Sequence, residues 1–169
     1  MSLADSIAGE WEMDLAASDA LGPLLREIGL NRVLSSLVAR LGVKQTISAS
    51  KDELVINVKT AVSEECLRLP FDGRLVSAPG ITGGRSASSS CWLDAGQTRL
   101  ETRQSIITAQ TDDEAIALGA GNSLNDEAFV TVRSLRDGGD VLVESCSIVR
   151  AGVTLPQPCA DRILRRVKT

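Results

Sequence analysis

The spacing of apolar residues changes once along this chain, at Gly42, and that change leaves few architectures open. Upstream, Leu21, Leu24, Leu25 and Ile28 share one helical face, with Ser18 or Asp19 available as a cap, Pro23 in the first turn and Gly29 as a stop. Asn31 then opens a second helix, in which Leu34, Leu37, Val38 and Leu41 recur at helical spacing before Gly42. Downstream the period falls to two. Lys44–Ser50 and Glu53–Thr60 form a hairpin around Lys51-Asp52, and further strands are expected at Glu65–Leu69, Ala87–Leu93, Thr98–Ile107, Glu127–Leu135, Val141–Val149 and Asp161–Lys168. Another is expected between Leu75 and Ser86. The breaks carry turn residues, notably Phe71-Asp72-Gly73, Asp94-Ala95-Gly96 and Asp137-Gly138-Gly139-Asp140. Sequential strands with short turns read as an antiparallel up-and-down meander, which closes into a barrel to remove its edges. With a strand at Gly9-Glu10-Trp11, the expected fold is mainly β, a barrel of about ten strands with a helix-turn-helix lid (about 19–41) between the first and second strands.

One domain of 169 residues is expected, because no repeat, low-complexity tract or charge block marks a boundary. Two insertions lengthen it. Thr111–Asp126 reads as a long loop or as a loop holding a short helix around Glu114–Leu118, and Ala151–Pro158 extends the last hairpin.

The chain has no histidine and no tyrosine, which removes imidazole-based triads, histidine acid–base chemistry and most zinc or haem sites. No cofactor or metal is expected. The formal charge of −4 repels polyanions, so nucleic acid is not an expected partner. Cys66, Cys91, Cys146 and Cys159 show no metal or disulfide spacing and read as buried small hydrophobes in a reducing compartment. With no leader pattern and no long apolar run, a cytoplasmic location is expected.

In a small barrel alternate side chains point inward, so an arginine sharing parity with apolar neighbours is a candidate interior charge. Arg133 shares a face with Phe129, Thr131 and Leu135, and Arg162 shares one with Leu164. Such a guanidinium cannot escape burial by losing its proton, and it requires an anion or ordered water. Parity leaves a second reading open, in which both arginines face solvent like most strand arginines. Arg26, Arg32 and Arg40 on the helices read as a solvated face or as a cationic surface for anionic membranes.

Several segments resemble the intracellular lipid-binding proteins, the fatty-acid-binding and retinoid-binding family of the calycin superfamily. Gly9-Glu10-Trp11 is similar to the family's N-terminal Gly-x-Trp strand. Leu25–Gly29 and Leu37–Lys44 resemble its paired portal helices and their exit into the second strand, and Lys51–Thr60 its next hairpin. Val132-Arg133-Ser134-Leu135-Arg136-Asp137-Gly138 resembles its Val-Arg-Glu-Leu-x-Asp-Gly turn, and Cys159–Val167 its closing Cys-Thr-Arg-x-Tyr-Glu-Lys-Val strand with one residue inserted. The resemblance implies a fatty acid or similar small hydrophobic carboxylate in the cavity, held by Arg133 and Arg162. The family's tyrosine position is occupied by Leu164, so the third head-group contact is missing. Arg85 in Gly83-Gly84-Arg85-Ser86 aligns with a family arginine near the portal, whereas the portal aromatic has no counterpart between Thr60 and Cys66.

The expected function is therefore binding and transport, without catalysis. Arg133, Arg162, Leu164, Phe129 and Thr131 would meet the ligand, and Leu24, Leu37, Leu41 and Arg85 would form the portal. Two alternatives stand beside it. One is a lipid- or pigment-converting enzyme on a calycin-like barrel, for which Glu101, Glu144 and Cys146 are the available strand groups. The other is a filled barrel acting as an interaction module through Thr111–Asp126.

Overall fold

The computed structural model describes residues 2–121 and 123–168. A short helix α1 (Leu3–Ile7) precedes strand β1 (Gly9–Met13). Helices α2 (Gly22–Glu27) and α3 (Arg32–Val38) follow, then β2 (Lys44–Ala49), β3 (Glu53–Lys59), β4 (Glu64–Pro70), β5 (Val76–Pro79), β6 (Arg85–Trp92) and β7 (Arg99–Gln104). Helix α4 (Asp112–Gly121) separates β7 from β8 (Glu127–Arg136), and β9 (Val141–Arg150), the two-residue β10 (Val153–Thr154) and β11 (Ala160–Arg166) complete the order. Ten strands pair antiparallel in the sequence β4-β3-β2-β1-β11-β9-β8-β7-β6-β5, with β10 added to β9. β4 and β5 lie side by side without a ladder between them, so the barrel is nearly closed, with its helical lid between the first and second strands.

Inside the barrel the buried apolar residues form two clusters, one at each end, while a third, of Leu124, Ala128, Val130 and Val149, lies against the outer face of β8 and β9. At one end, Leu3 and Ile7 of α1 plug the barrel against Trp11, Ile47, Leu54, Ile56, Leu69, Leu100, Leu142 and Leu164. Arg166 closes this end. Its guanidinium lies 4.3 Å from the centre of the Trp11 ring and donates to the carbonyls of Ser6, Ala8 and Gly139. Gly9, at φ +134°, leaves the room this needs, since a Cβ there would stand 2.8 Å from the Arg166 Nη1. At the other end, Leu24, Leu25 and Ile28 of the lid pack on Phe129, Cys146, Ile148 and Ala160.

The local structure corrects several expectations. Ser18 and Asp19 cap no helix: Ser18 Oγ accepts from Ile163 N–H and Asp19 Oδ2 from Asp161 N–H, so both fasten the lid loop to β11. Helix α2 instead starts after Leu21 without a side-chain cap, whereas Asn31 does cap α3 by accepting from Leu34 N–H. Of the two readings of Thr111–Asp126 the helical one holds, with a helix of ten residues that is longer than Glu114–Leu118. Its Gly119 lies against Ala87 on the outer face of β6, where the two small residues allow close approach, and its Ala115 is buried. Only one cysteine, Cys146, is buried; Cys66, Cys91 and Cys159 are exposed, and all four are free thiols.

Candidate functional site

Strand register sets the site. Arg133 on β8 stands directly opposite Glu144 on β9, and Arg162 on β11 stands opposite the same Glu144 from the other side. The three side chains therefore form one row across adjacent strands, on the inward face shared with Phe129, Thr131, Leu142 and Cys146. The row below it, Leu135, Leu142 and Leu164, belongs to the plugged end, and Thr131, Cys146 and Ala160 lie above it toward the lid.

The interior arginines already have an anion, and the chain supplies it. Arg133 Nε donates to Glu144 Oε1 at 3.0 Å, and its Nη1 donates to Thr102 Oγ1 at 3.0 Å. Arg162 Nη1 lies 3.2 Å from Glu144 Oε2, an ion pair without hydrogen-bond alignment. Gln45 Nε2 completes the cluster by donating to Glu144 Oε1 at 3.3 Å. Burial pushes the Glu144 carboxyl up, but the charges of Arg162 and Arg133 and the bonds from Gln45 and Arg133 outweigh it and hold the group below the usual carboxylate range.

The charges along the row run plus, minus, plus. Arg133 is 7% exposed and bonded through Nε and Nη1, whereas Arg162 keeps 19% of its side chain exposed and its Nε has no partner among the described residues. Inward-facing Ser86, Ser88, Ser90, Thr102 and Gln104 continue this polar level around β6 and β7. Gln104 Nε2 donates to Ser86 Oγ at 2.7 Å, and Ser90 Oγ donates to Pro70 O at 2.8 Å.

The other expected site residues fall in different places. Phe129 and Thr131 line the inward face between the row and the lid, whereas Leu164 is sealed into the plugged end. Leu24 closes the mouth, Leu41 is half-buried, and Leu37 points into solvent with 59% exposure because α2, not α3, packs on the barrel. Arg85 is turned to the outer face of β6, where its Nε donates to Asp112 Oδ1 at 2.8 Å and ties down the start of α4. It contributes no charge to the barrel interior. Glu101 is likewise on the outer face, paired with Arg103 at 2.6 Å. Burial pushes the Cys146 thiol up to about 11, so it is neutral and weakly nucleophilic near pH 7.

Two surface clefts of about 590 Å³ each lie elsewhere, one at the plugged end beside Phe71 and Trp92 and one between α4 and residues 108–110. Neither reaches the charged row.

No family profile matches the sequence, and no curated protein matches it. Solved structures do. A REP1-NXSQ fatty acid transporter superposes with a TM-score of 0.70 at 14% identity, covering 98% of this chain and 99% of its own. The chain has the fold of the fatty acid-binding proteins. A Schistosoma mansoni fatty acid binding protein in complex with arachidonic acid gives a TM-score of 0.71 at 13% identity with 98% of both chains covered. Lipid binding protein 8 of Caenorhabditis elegans gives 0.70 at 11%, with 99% of both chains covered. In this chain α4 lies on the outer wall against β5 and β6, and β10 pairs with β9.

Proposed function

We propose that this barrel is an intracellular, cytoplasmic carrier for a small hydrophobic carboxylate of the fatty-acid kind, and not an enzyme. The observation that carries this reading is the end of the charged row. Two arginines and one glutamate sum to a single positive charge, and the outer arginine, Arg162, has an unpartnered Nε. A ligand carboxylate beside Arg162 would extend the row to plus, minus, plus, minus and neutralise it, while its tail packs against Phe129, Ile148 and the lid leucines. Arg133, already bonded to Glu144 and Thr102 and more deeply buried than Arg162, then acts by positioning Glu144 rather than by touching ligand. The ligands named for the structurally similar proteins, fatty acids, support the same reading.

Among the described residues, none of the three groups expected for catalysis is poised for it. Glu144 is ionised and paired, the Cys146 thiol is neutral, and Glu101 faces outward. No helix among the described residues is long and apolar enough to cross a membrane. Contact with an anionic membrane is instead proposed at α3, where exposed Val33, Leu34, Leu37 and Val38 lie near Arg26, Arg32 and Arg40, three arginines without ion-pair partners among the described residues.

Titration of a long-chain fatty acid and its methyl ester against the wild type and Arg162→Ala tests the anchor. Loss of a charge-assisted pair weakens the acid by about 10- to 100-fold, and the ester stays within about twofold. Equal losses for acid and ester would remove Arg162 as the head-group contact.

A further inference from the structure

Two polar atoms beside Glu144 have no partner among the described residues, and they are of opposite kind. Arg162 Nε is a donor without an acceptor; Gln45 Oε1 is an acceptor without a donor. Gln45 is 3% exposed, so bulk water does not solvate its carbonyl. Nor can the amide be turned over. Its Nε2 is fixed by donating to Glu144 Oε1, and the reversed orientation would set carbonyl oxygen against carboxylate oxygen. Glu144 Oε2, held by Arg162 without hydrogen-bond alignment, is a second under-used acceptor in the same cluster.

A plain carboxylate satisfies this constellation only in part. It has acceptors alone, so it serves Arg162 Nε and leaves the Gln45 carbonyl buried and unpaired. We infer that the site is built for a lipid whose carboxylate carries a hydrogen-bond donor beside it, an O–H or N–H that reaches Gln45 Oε1 while the carboxylate meets Arg162. Hydroxy acids and N-acylated amino acids share this chemistry. Gln45 is then a specificity-determining residue. A hydroxyl contributes one uncharged hydrogen bond and relieves one buried orphan acceptor, which corresponds to a preference of about five- to tenfold. This inference rests on the carrier reading, and its test separates the two.

The probes are hexadecanoate, 2-hydroxyhexadecanoate, 2-methoxyhexadecanoate and an N-palmitoyl amino acid, titrated by calorimetry into wild type, Gln45→Leu and Gln45→Met. The 2-hydroxy acid is expected to bind the wild type about five- to tenfold more tightly than hexadecanoate. The 2-methoxy acid, which keeps the oxygen but has no donor, loses that gain. Both Gln45 variants should bind the hydroxy and plain acids alike; Met keeps the length of the side chain should Leu perturb folding. The N-palmitoyl compound distinguishes an N–H donor from an O–H donor by which of the two shows the larger Gln45-dependent preference. Binding of both donor-bearing acids to the wild type no tighter than that of hexadecanoate would overturn the inference and leave the carrier reading standing. A preference that persists in both variants would do the same. Failure of every probe to bind would overturn the carrier reading itself.

Discussion

Glu144 is a carboxylate with almost no access to water, and it stays ionised only because two guanidiniums face it across neighbouring strands. The pairing does not make it a large net source of stability, since desolvation opposes the attraction, but removing one partner leaves the others uncompensated. Glu144→Gln keeps the shape and strands Arg133 and Arg162 as like charges in one interior. A loss of about 3–5 kcal/mol is expected at pH 7 by urea unfolding. The sign with pH follows from the lowered pKa of Glu144. Its contribution is complete above the unfolded-state value of about 4.3 and disappears as pH falls through the folded-state value. The wild type and the variant therefore converge in acid, and equal stability at pH 7 would show that the row does not depend on this charge. Half of the row was within reach of the sequence. With a four-residue turn at Asp137–Asp140, position 136 faces 141 and counting back puts Arg133 opposite Glu144. The β9 alternation hid it, because Val141 and Val143 on the outer face are as buried as Leu142 on the inner one. The second contact, Arg162 to Glu144, spans the long connection through 151–158, where no count of residues fixes register. Gln45 carried no signal at all, being one polar residue in a strand with polar neighbours.

At the level of elements, the lid is held by few fastenings. α2 seats Leu24, Leu25 and Ile28 in the barrel mouth, and its C-terminal turn is fixed by Arg150 of β9, which donates to Glu27 Oε1 at 2.6 Å and to the Glu27 carbonyl at 2.9 Å. Both side chains are partly exposed, so the pair contributes little to global stability, about 1 kcal/mol or less. Its effect is local. In Arg150→Ala, amide hydrogens of α2 should exchange faster while those of β8 and β9 keep their protection, and bound lipid should leave sooner. Uniform acceleration across the barrel would mean that the contact supports the whole fold and not the lid. The helix-turn-helix was visible in the sequence through its leucine spacing and Asn31, but its attachment was not. Ser18 and Asp19 have the composition of caps, and tertiary structure uses them to bind β11 because that strand passes alongside. α1 is one turn long, too short for any periodicity to mark it.

For the molecule as a whole, the two ends of the described chain form one unit. β1 pairs with β11 through Trp11 and Arg166, and Arg166 also holds the last turn of α1. Arg166→Ala removes a cation–π contact and several bonds to carbonyls at once, and a loss of about 2–3 kcal/mol is expected, followed by Trp fluorescence on unfolding. A change under about 0.5 kcal/mol would show that the plug holds without it. The overall topology was the most legible level, since a meander with short turns has few ways to close, whereas the plug depends on contacts between residues as far apart as Ser6 and Arg166.

That distance matters during synthesis. The first strand emerges from the ribosome early, yet one of its two edges finds its partner only when residues 160–166 have also emerged. Until then the nascent barrel presents an open β edge and an unseated Leu3 and Ile7 to the surrounding solution. Folding to the closed state is therefore a late event, dominated by sequence-distant contacts, and the incomplete chain is the form most exposed to mispairing and most in need of protection by chaperones.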